Sequence, residues 1–253
     1  MKYKVYKGSA VGYKNYIKNK NSQDNISFKQ IKNGVIAVVA DGHSTDYFEY
    51  SDKGSEYACK STIEVLEEYA SKVNEIYKYL DTKEIQKKIY SRWREYVRID
   101  YTKKFPIVRN IEYLKYSTTI VACLIADKIA VYIKLGDGGI VKKSENKYEE
   151  ILEEYQIDIV KSIGLENSYN DIKYLVEEID MKSSDAVVLF TDGYSDSFEN
   201  KDIMYEDIEN TLYHYNKNVF SKALFYKTYP NYLKLLSEKK SKDDISIIYV
   251  VVK

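Results

Sequence analysis

Three apolar, strand-like runs of this chain each lead into an Asp-Gly pair, and this pattern restricts the fold more than any other feature. The pairs are Asp41-Gly42, Asp137-Gly138 and Asp192-Gly193. Since Asp-Gly favours tight turns, each run is predicted to be a buried strand that delivers a carboxylate to a turn. A fourth acidic pair, Asp243-Asp244, precedes the apolar run 245–252.

If the first three strands end at the edge where the last strand begins, these carboxylates gather and repel one another unless protons or cations neutralise them. Oxygen ligands on short turns suit hard cations such as Mg²⁺ or Mn²⁺, whereas zinc recruits more His or Cys. A single Asp-Gly pair is an ordinary turn dipeptide, but three after buried strands favour a metal site. A calcium loop of the EF-hand type is excluded, because no Asp-x-Asp-x-Asp-Gly spacing with a trailing Glu occurs.

The rest of the chain predicts blocks of strands separated by paired helices. Strands are predicted over 2–11, 25–31, 34–40, 117–125, 129–135, 140–142, 172–178, 186–191 and 245–252. Helices are predicted over 55–80, from 81 to a stop before Pro106, over 205–215 and over 219–236. Asp81 and Glu84 fit a capping box, and Pro230 marks a helix break or start. This order predicts an α+β fold with helices outside antiparallel sheets, in a single domain over 1–253.

Composition excludes several classes of protein. With 44% hydrophobic residues the 253-residue chain can fill a sizeable core. Lys+Arg and Asp+Glu both total 39, so no net charge favours nucleic acid or anionic lipid. No apolar run approaches the ~20 residues that span a bilayer, and no signal peptide is recognised, so we expect a soluble cytoplasmic protein without membrane contact. Cys59 and Cys123 are too few for a disulfide framework or zinc cage and are predicted to be core residues.

Six short motifs carry a family resemblance when they are taken in chain order. They are Asn21-Ser-Gln-Asp24, Val39-Ala-Asp-Gly-His43, Ser117-Thr-Thr119, Gly136-Asp-Gly138, Thr191-Asp-Gly193 and Asp243-Asp-Ile-Ser246. Each is weak alone, but together they span nearly the whole chain. The sequence resembles the metal-dependent protein phosphatases of the 2C family, particularly their compact bacterial members.

The resemblance implies a β-sandwich of two antiparallel sheets flanked by pairs of helices, with two Mn²⁺ or Mg²⁺ ions at one end. Asp41 would bridge both ions, and the Gly42 carbonyl would complete the shell of one. Asp192 and Asp243 would bind the other ion. Asp137, together with Asp192, matches the pair that holds a weaker third ion in related bacterial enzymes.

The implied activity is that of a serine/threonine phosphoprotein phosphatase, which hydrolyses phosphomonoesters by direct attack of a metal-bridging water. Asp24 matches an acidic residue that orients metal-bound water. His43, beside the first Asp-Gly turn, is the candidate acid that protonates the departing alkoxide. The implied partner is a protein carrying phosphoserine or phosphothreonine, and the enzyme is expected to act as a monomer.

The chain departs from the family pattern at several positions. Many members place an arginine before the first motif, whereas this chain has Lys14, Lys18 and Lys20. Lys18 or Lys20 is the predicted substrate-phosphate ligand, which as a point charge would position phosphate less firmly than arginine; the alternative is a solvated loop charge. The segment 44–52 adds Tyr47, Phe48 and Tyr50, which either shape the rim of the site or form an ordinary loop.

Two other functions are alternatives to this one. A pseudophosphatase would keep the fold and bind phosphoprotein without turnover, as the missing arginine allows, but Asp41, Asp192 and Asp243 argue for an active enzyme. A phosphatase of the haloacid-dehalogenase type needs Asp-x-Asp at the end of its first strand. This chain has Asp41-Gly-His there.

Overall fold

The computed structural model describes residues 3–107, 109–145, 147–153, 160–215 and 219–253. The described strands are β1 (Tyr3–Ala10), β2 (Asn25–Ile31), β3 (Gly34–Ala40), β4 (Ile120–Ala126), β5 (Ile129–Leu135), β6 (Gly139–Ser144), β7 (Lys147–Glu150), β8 (Lys173–Glu178), β9 (Ala186–Phe190) and β10 (Ile245–Val252). The α-helices are α1 (Tyr13–Tyr16), α2 (Ser51–Ala70), α3 (Ile76–Asp81), α4 (Glu84–Lys104), α5 (Asp192–Ser195), α6 (Lys201–Tyr215) and α7 (Val219–Lys239). Short 3-10 helices cover Val73–Glu75, Tyr113–Tyr116 and Ser168–Asn170.

The strands form two five-stranded sheets, and every pairing between neighbouring strands is antiparallel. One sheet has the order β1-β10-β9-β6-β7, and the other has the order β2-β3-β4-β5-β8. The two sheets pack face to face as a sandwich, with helices on both outer faces. The predicted α+β sandwich flanked by helices is confirmed.

Strand β3 shows why its sequence is almost entirely apolar. Every residue of β3 is buried, because alternate side chains point to two different cores. Val35, Ala37 and Val39 lie in the core between the sheets. Ile36, Val38 and Ala40 lie in the core under α2 and α4. A third core lies under α6 and α7, on the outer face of the other sheet.

The sequence prediction differs from the structure mainly at chain reversals. The helix predicted over 55–80 is divided into α2 and α3. The capping box does not form, because Asp81 ends α3 and Lys83, with φ of 60°, precedes α4 without a side-chain cap. Pro230 lies inside α7, which continues through it. Strand β7 and the short helices α1 and α5 were not predicted.

Strand register brings the acidic turns to one end of the sandwich. Asn25 pairs with Ala40, so β2 begins where β3 ends. Ile247 pairs with Phe190, so β10 begins where β9 ends.

The prediction that both cysteines are core residues is confirmed, since Cys59 and Cys123 are buried and unpaired with each other. Within the ranges that the structure describes, no helix is both long enough and apolar enough to cross a bilayer.

Candidate metal centre

Asp41 follows β3, and its backbone is held by the Ser117-Thr-Thr119 motif. The Asp41 N–H donates to Thr119 Oγ1 at 3.0 Å. Its carbonyl accepts hydrogen bonds from Thr118 Oγ1 at 2.7 Å and from the Thr119 N–H at 2.8 Å. Two adjacent threonines therefore fix the turn that carries this carboxylate.

Gly42 is required by the close approach of neighbouring backbone. A Cβ at this position would lie 2.6 Å from the Gln23 carbonyl oxygen and 2.7 Å from the Ser51 carbonyl oxygen. Those distances are far below van der Waals contact, so any side chain would push these segments apart. The glycine of the first Asp-Gly pair lets three chain segments meet beside Asp41.

The structure brings together the three aspartates that precede glycine. Asp41, Asp137 and Asp192 each offer a carboxylate oxygen, and these oxygens lie within 4.8 Å of one another. Asp41 follows a strand of one sheet, Asp192 follows a strand of the other, and Asp137 lies in the connection between β5 and β6, which belong to different sheets. The end of the sandwich therefore joins carboxylates that are up to 151 positions apart, Asp41 to Asp192.

Asp24 lies against this group and extends it. The charges of Asp24 and Asp192 both raise the pKa of Asp41, so the three carboxyl groups lie near one another. Buried carboxylates this near repel one another unless protons or cations neutralise them. Asp24 Oδ2 also accepts a hydrogen bond from Thr191 Oγ1 at 2.8 Å.

Burial and mutual repulsion make these carboxyl groups hard to ionise without a counter-ion. Burial is the largest cause in each case, and neighbouring carboxylates add to it. The pKa values of Asp24 and Asp41 are raised well above 3.8. The pKa of Asp192 is raised to about 7, and that of Asp137 is also raised. A bound cation would reverse this, because it favours the ionised form.

Buried oxygen atoms without a hydrogen-bond partner supply a test of whether this site fits a metal. Among the described residues, Asp24 Oδ1, Asp137 Oδ1 and Gln23 Oε1 are buried and accept no hydrogen bond. Buried oxygens are rarely left this way, since an unsatisfied polar group costs about 1–3 kcal/mol. An all-oxygen set with spare acceptors fits Mg²⁺ or Mn²⁺.

The two aspartates that precede β10 have different surroundings. Asp244 accepts hydrogen bonds from the N–H groups of Gly12 and Gln23 and from Asn15 Nδ2. Asp243 Oδ2 lies 3.2 Å from Lys14 Nζ, outside the group of three carboxylates defined above. The charge of Asp243 raises the pKa values of Asp137 and Asp192, which indicates that Asp243 lies near that group.

His43, the predicted proton donor, lies beside Asp137 and the aromatic loop. Its ring centroid is 4.6 Å from that of Phe48. Burial lowers the pKa of His43, and the charge of Asp137 opposes this shift. Phe48 of the segment 44–52 therefore contacts a predicted site residue, whereas Tyr50 packs against Tyr116. For Phe48, the contact with His43 favours the alternative in which the segment 44–52 shapes the rim of the site.

The lysines predicted to bind phosphate lie at the surface. Lys20 Nζ forms an ion pair with Asp46 at 2.8 Å. Lys18 is exposed, and its charge acts on the same aspartate. Lys14, which is not a predicted phosphate ligand, contacts Asp243 of the fourth acidic pair through its ammonium group.

Sequence reasoning missed Asp196, another acidic residue near this group. Its pKa is raised by burial and by the charges of Asp137 and Asp243, and Lys14 opposes the shift. Its N–H donates to the Asp192 carbonyl at 2.8 Å. The available signal was the spacing of four residues from Asp192, which places both on one face of a helical turn.

Comparison with known proteins gives a family match. The family model described as Protein phosphatase 2C matches residues 11–225. A search of curated proteins found no match.

Solved structures share the fold at low sequence identity. PppA, a regulatory component of T6SS in Pseudomonas aeruginosa, has a TM-score of 0.64 and 15% identity over 99% of this chain and 98% of that one. Serine/threonine phosphatase Stp1 from Staphylococcus aureus has a TM-score of 0.61 and 14% identity over 100% and 96%. The catalytic domain of the phosphatase PstP, solved with two manganese ions, has a TM-score of 0.54 and 14% identity over 99% and 97%.

Proposed function

The chain belongs to the protein phosphatase 2C family, and on that premise we propose that it is a metal-dependent serine/threonine phosphoprotein phosphatase. The observation that carries the proposal is the group of carboxylates from both sheets, whose oxygens lie within 4.8 Å of one another. These groups have raised pKa values and spare buried acceptors, so they need positive charge. A domain that only binds a protein partner does not require a group of buried carboxylates that repel one another.

Asp41 is the proposed ligand shared by two Mn²⁺ or Mg²⁺ ions, since its carboxylate oxygen lies within 4.8 Å of those of Asp137 and Asp192. Asp192, Asp243 and the Gly42 carbonyl are the further proposed ligands, and Asp137 with Asp192 is proposed to hold a weaker third ion. The two manganese ions of the PstP domain support this assignment. When bound, such ions acidify water and neutralise charge on phosphoryl oxygens.

Asp24 and His43 are proposed to handle protons. Asp24 has one oxygen held by Thr191 and one without a partner among the described groups, which suits it to orient a water molecule. His43 must be protonated to protonate the leaving alkoxide. An incoming phosphate group would add to the charge of Asp137 and favour the imidazolium form.

Substrate phosphate is proposed to meet lysine rather than arginine. Three of the four arginines, Arg92, Arg94 and Arg98, contact glutamate or tyrosine side chains on the outer helices. Lys18 and Lys20 remain the candidates from sequence, and the position of Lys14 beside Asp243 adds a third. A lysine acts as a mobile point charge, so a high KM is expected.

The test is hydrolysis of a phosphothreonine peptide with and without added Mn²⁺. Wild-type protein is expected to release phosphate only with the metal, and Asp41→Asn should lower kcat/KM by more than about 100-fold. Asp185→Ala is the control, because it removes a buried aspartate at the opposite end of β9. Equal rates for wild type and Asp41→Asn would refute the proposal. Peptide binding without turnover would instead support the pseudophosphatase.

A further inference from the structure

A group of tyrosines, of which Tyr194, Tyr229 and Tyr249 are buried and Tyr232 is exposed, lies around the half-buried Asp207 of α6, and the proposed chemistry does not use it. Tyr194 is fully buried, and its hydroxyl donates to Asp207 Oδ2 at 2.7 Å. Tyr232 donates its hydroxyl to the other oxygen, Oδ1. The hydroxyl groups of Tyr229 and Tyr249 lie 2.6 Å apart in the same region, and Tyr249 is also in hydrogen-bonding contact with Tyr194.

This group is attached directly to the turn that carries Asp192. Tyr194 belongs to α5, a single helical turn that begins at Asp192. The Tyr194 N–H donates to the Thr191 carbonyl at 3.0 Å, and Ser197 Oγ donates to the Gly193 carbonyl at 2.8 Å. The ring of Tyr194 packs against Phe190 and Phe198. A shift of the Tyr194 side chain would therefore move the Asp192 backbone.

Of the three aspartates in the carboxylate group, Asp192 is the one whose position is set by the other sheet. Asp41 and Asp137 follow strands of one sheet, whereas Asp192 follows β9 of the other. Asp207 lies in α6, and Tyr232 lies in α7. The hydrogen bond from Tyr194 to Asp207 thus joins the Asp192 turn to the outer helix layer.

We infer that Tyr194 and Asp207 are positioning residues, which hold Asp192 at the distance from Asp41 and Asp137 that divalent-cation binding requires. The inference rests on the proposed metal site. It adds that Tyr194 and Asp207 support this site without contacting the ions. Outer partners that orient metal ligands typically change affinity by about 10- to 100-fold when removed.

The experiment is calorimetric titration of metal-free protein with Mn²⁺, comparing wild type with Tyr194→Phe. Loss of this one hydroxyl should raise the Kd by about 10-fold. The matched control is Tyr148→Phe, because the Tyr148 hydroxyl also donates to a carboxylate of α6, that of Glu209, but Tyr148 lies on β7. Tyr148→Phe should lower the melting temperature about as much as Tyr194→Phe does, and it should leave the Kd for Mn²⁺ unchanged.

Asp207→Asn provides a second variant, since it keeps one acceptor oxygen for Tyr194 or Tyr232, and an intermediate Kd is expected. If wild type and Tyr194→Phe bind Mn²⁺ equally, or if Tyr148→Phe weakens binding as much, the inference is wrong. If wild type itself takes up no Mn²⁺, the proposed function is what fails.

Discussion

The two ends of strand β9 each carry an aspartate, and their surroundings are opposite. Asp185, which is 3% exposed, precedes the strand and accepts hydrogen bonds from the N–H groups of Glu145 and Lys182 and from Ser144 Oγ. Asp192 follows the strand and faces the carboxyl groups of Asp41 and Asp137. One carboxylate is surrounded by donors, and the other is surrounded by further negative charge.

The difference shows that burial alone does not mark an aspartate as functional. The groups that surround its carboxylate decide this. Hydrogen-bond donors within the protein satisfy the oxygens of Asp185, so it stabilises the fold and has no need of a ligand. Among the described residues no hydrogen-bond donor contacts the Asp192 carboxylate, so protons or cations from outside must neutralise its charge. The neighbours Asp243 and Asp244 divide in the same way, since three donors hold Asp244 whereas Asp243 meets the mobile ammonium of Lys14.

The largest expected effect concerns catalysis at the two ends. Asp192→Asn should lower kcat/KM for a phosphothreonine peptide with saturating Mn²⁺ by more than about 100-fold, because a ligand is lost. Asp185→Asn should stay within a few-fold of wild type. Steady-state phosphate release measures both. Comparable losses in the two variants would remove the distinction.

Stability should change in the reverse sense. Asp185→Ala removes the acceptor of three partly buried hydrogen bonds and should lower the free energy of unfolding by about 1 kcal/mol. Asp192→Asn should raise the stability of the metal-free protein, because it removes a charge from a repelling group. Urea unfolding in EDTA provides the measurement. A destabilised Asp192→Asn would mean that its carboxylate is held by favourable contacts.

The pH dependence of the metal-free protein sharpens the same contrast. The pKa of Asp192 rises from 3.8 to about 7 on folding, so the folded state binds more protons than the unfolded state between these values. Stability is therefore present at low pH and is lost as pH rises from about 4 to about 7. Melting temperatures in EDTA should be higher near pH 5 than near pH 8, and saturating Mn²⁺ should reduce that difference. A melting temperature that rises with pH in EDTA would contradict the prediction.

The smallest effect is expected at the exposed lysines. Lys14→Met should change stability by less than about 0.5 kcal/mol, since its ion pair with Asp243 is exposed to solvent. It should raise the KM for phosphopeptide by a few-fold, and by more than Lys20→Met, because Lys14 lies beside Asp243, which is near the carboxylate group, whereas Lys20 is paired with the exposed Asp46. The opposite order of KM values would favour the phosphate ligand predicted from sequence.

The fold could be predicted because its strands need two covered faces. Runs such as those of β3 and β10 are almost entirely apolar, as expected of strands in a sheet that is buried on both sides. Strand β7 was missed because its sequence, Lys147–Glu150, is polar and partly exposed. The break between α2 and α3 was missed because apolar periodicity continues through it.

The site was predictable where backbone geometry leaves a local signature. Glycine after aspartate marked Asp41, Asp137 and Asp192, which the structure brings together. The support from Thr118 and Thr119 and the link from Tyr194 to Asp207 depend on contacts between distant segments or between two helices. No spacing in the sequence encodes such contacts.

Anomalous diffraction from crystals soaked in Mn²⁺ tests the central claim most directly. Two manganese peaks are expected at this end of the sandwich, with Asp41 in contact with both and Asp192 in contact with one. Crystals in which Asp41, Asp137 and Asp192 stay together but contact no ion would contradict the account, because protons alone would then neutralise the group.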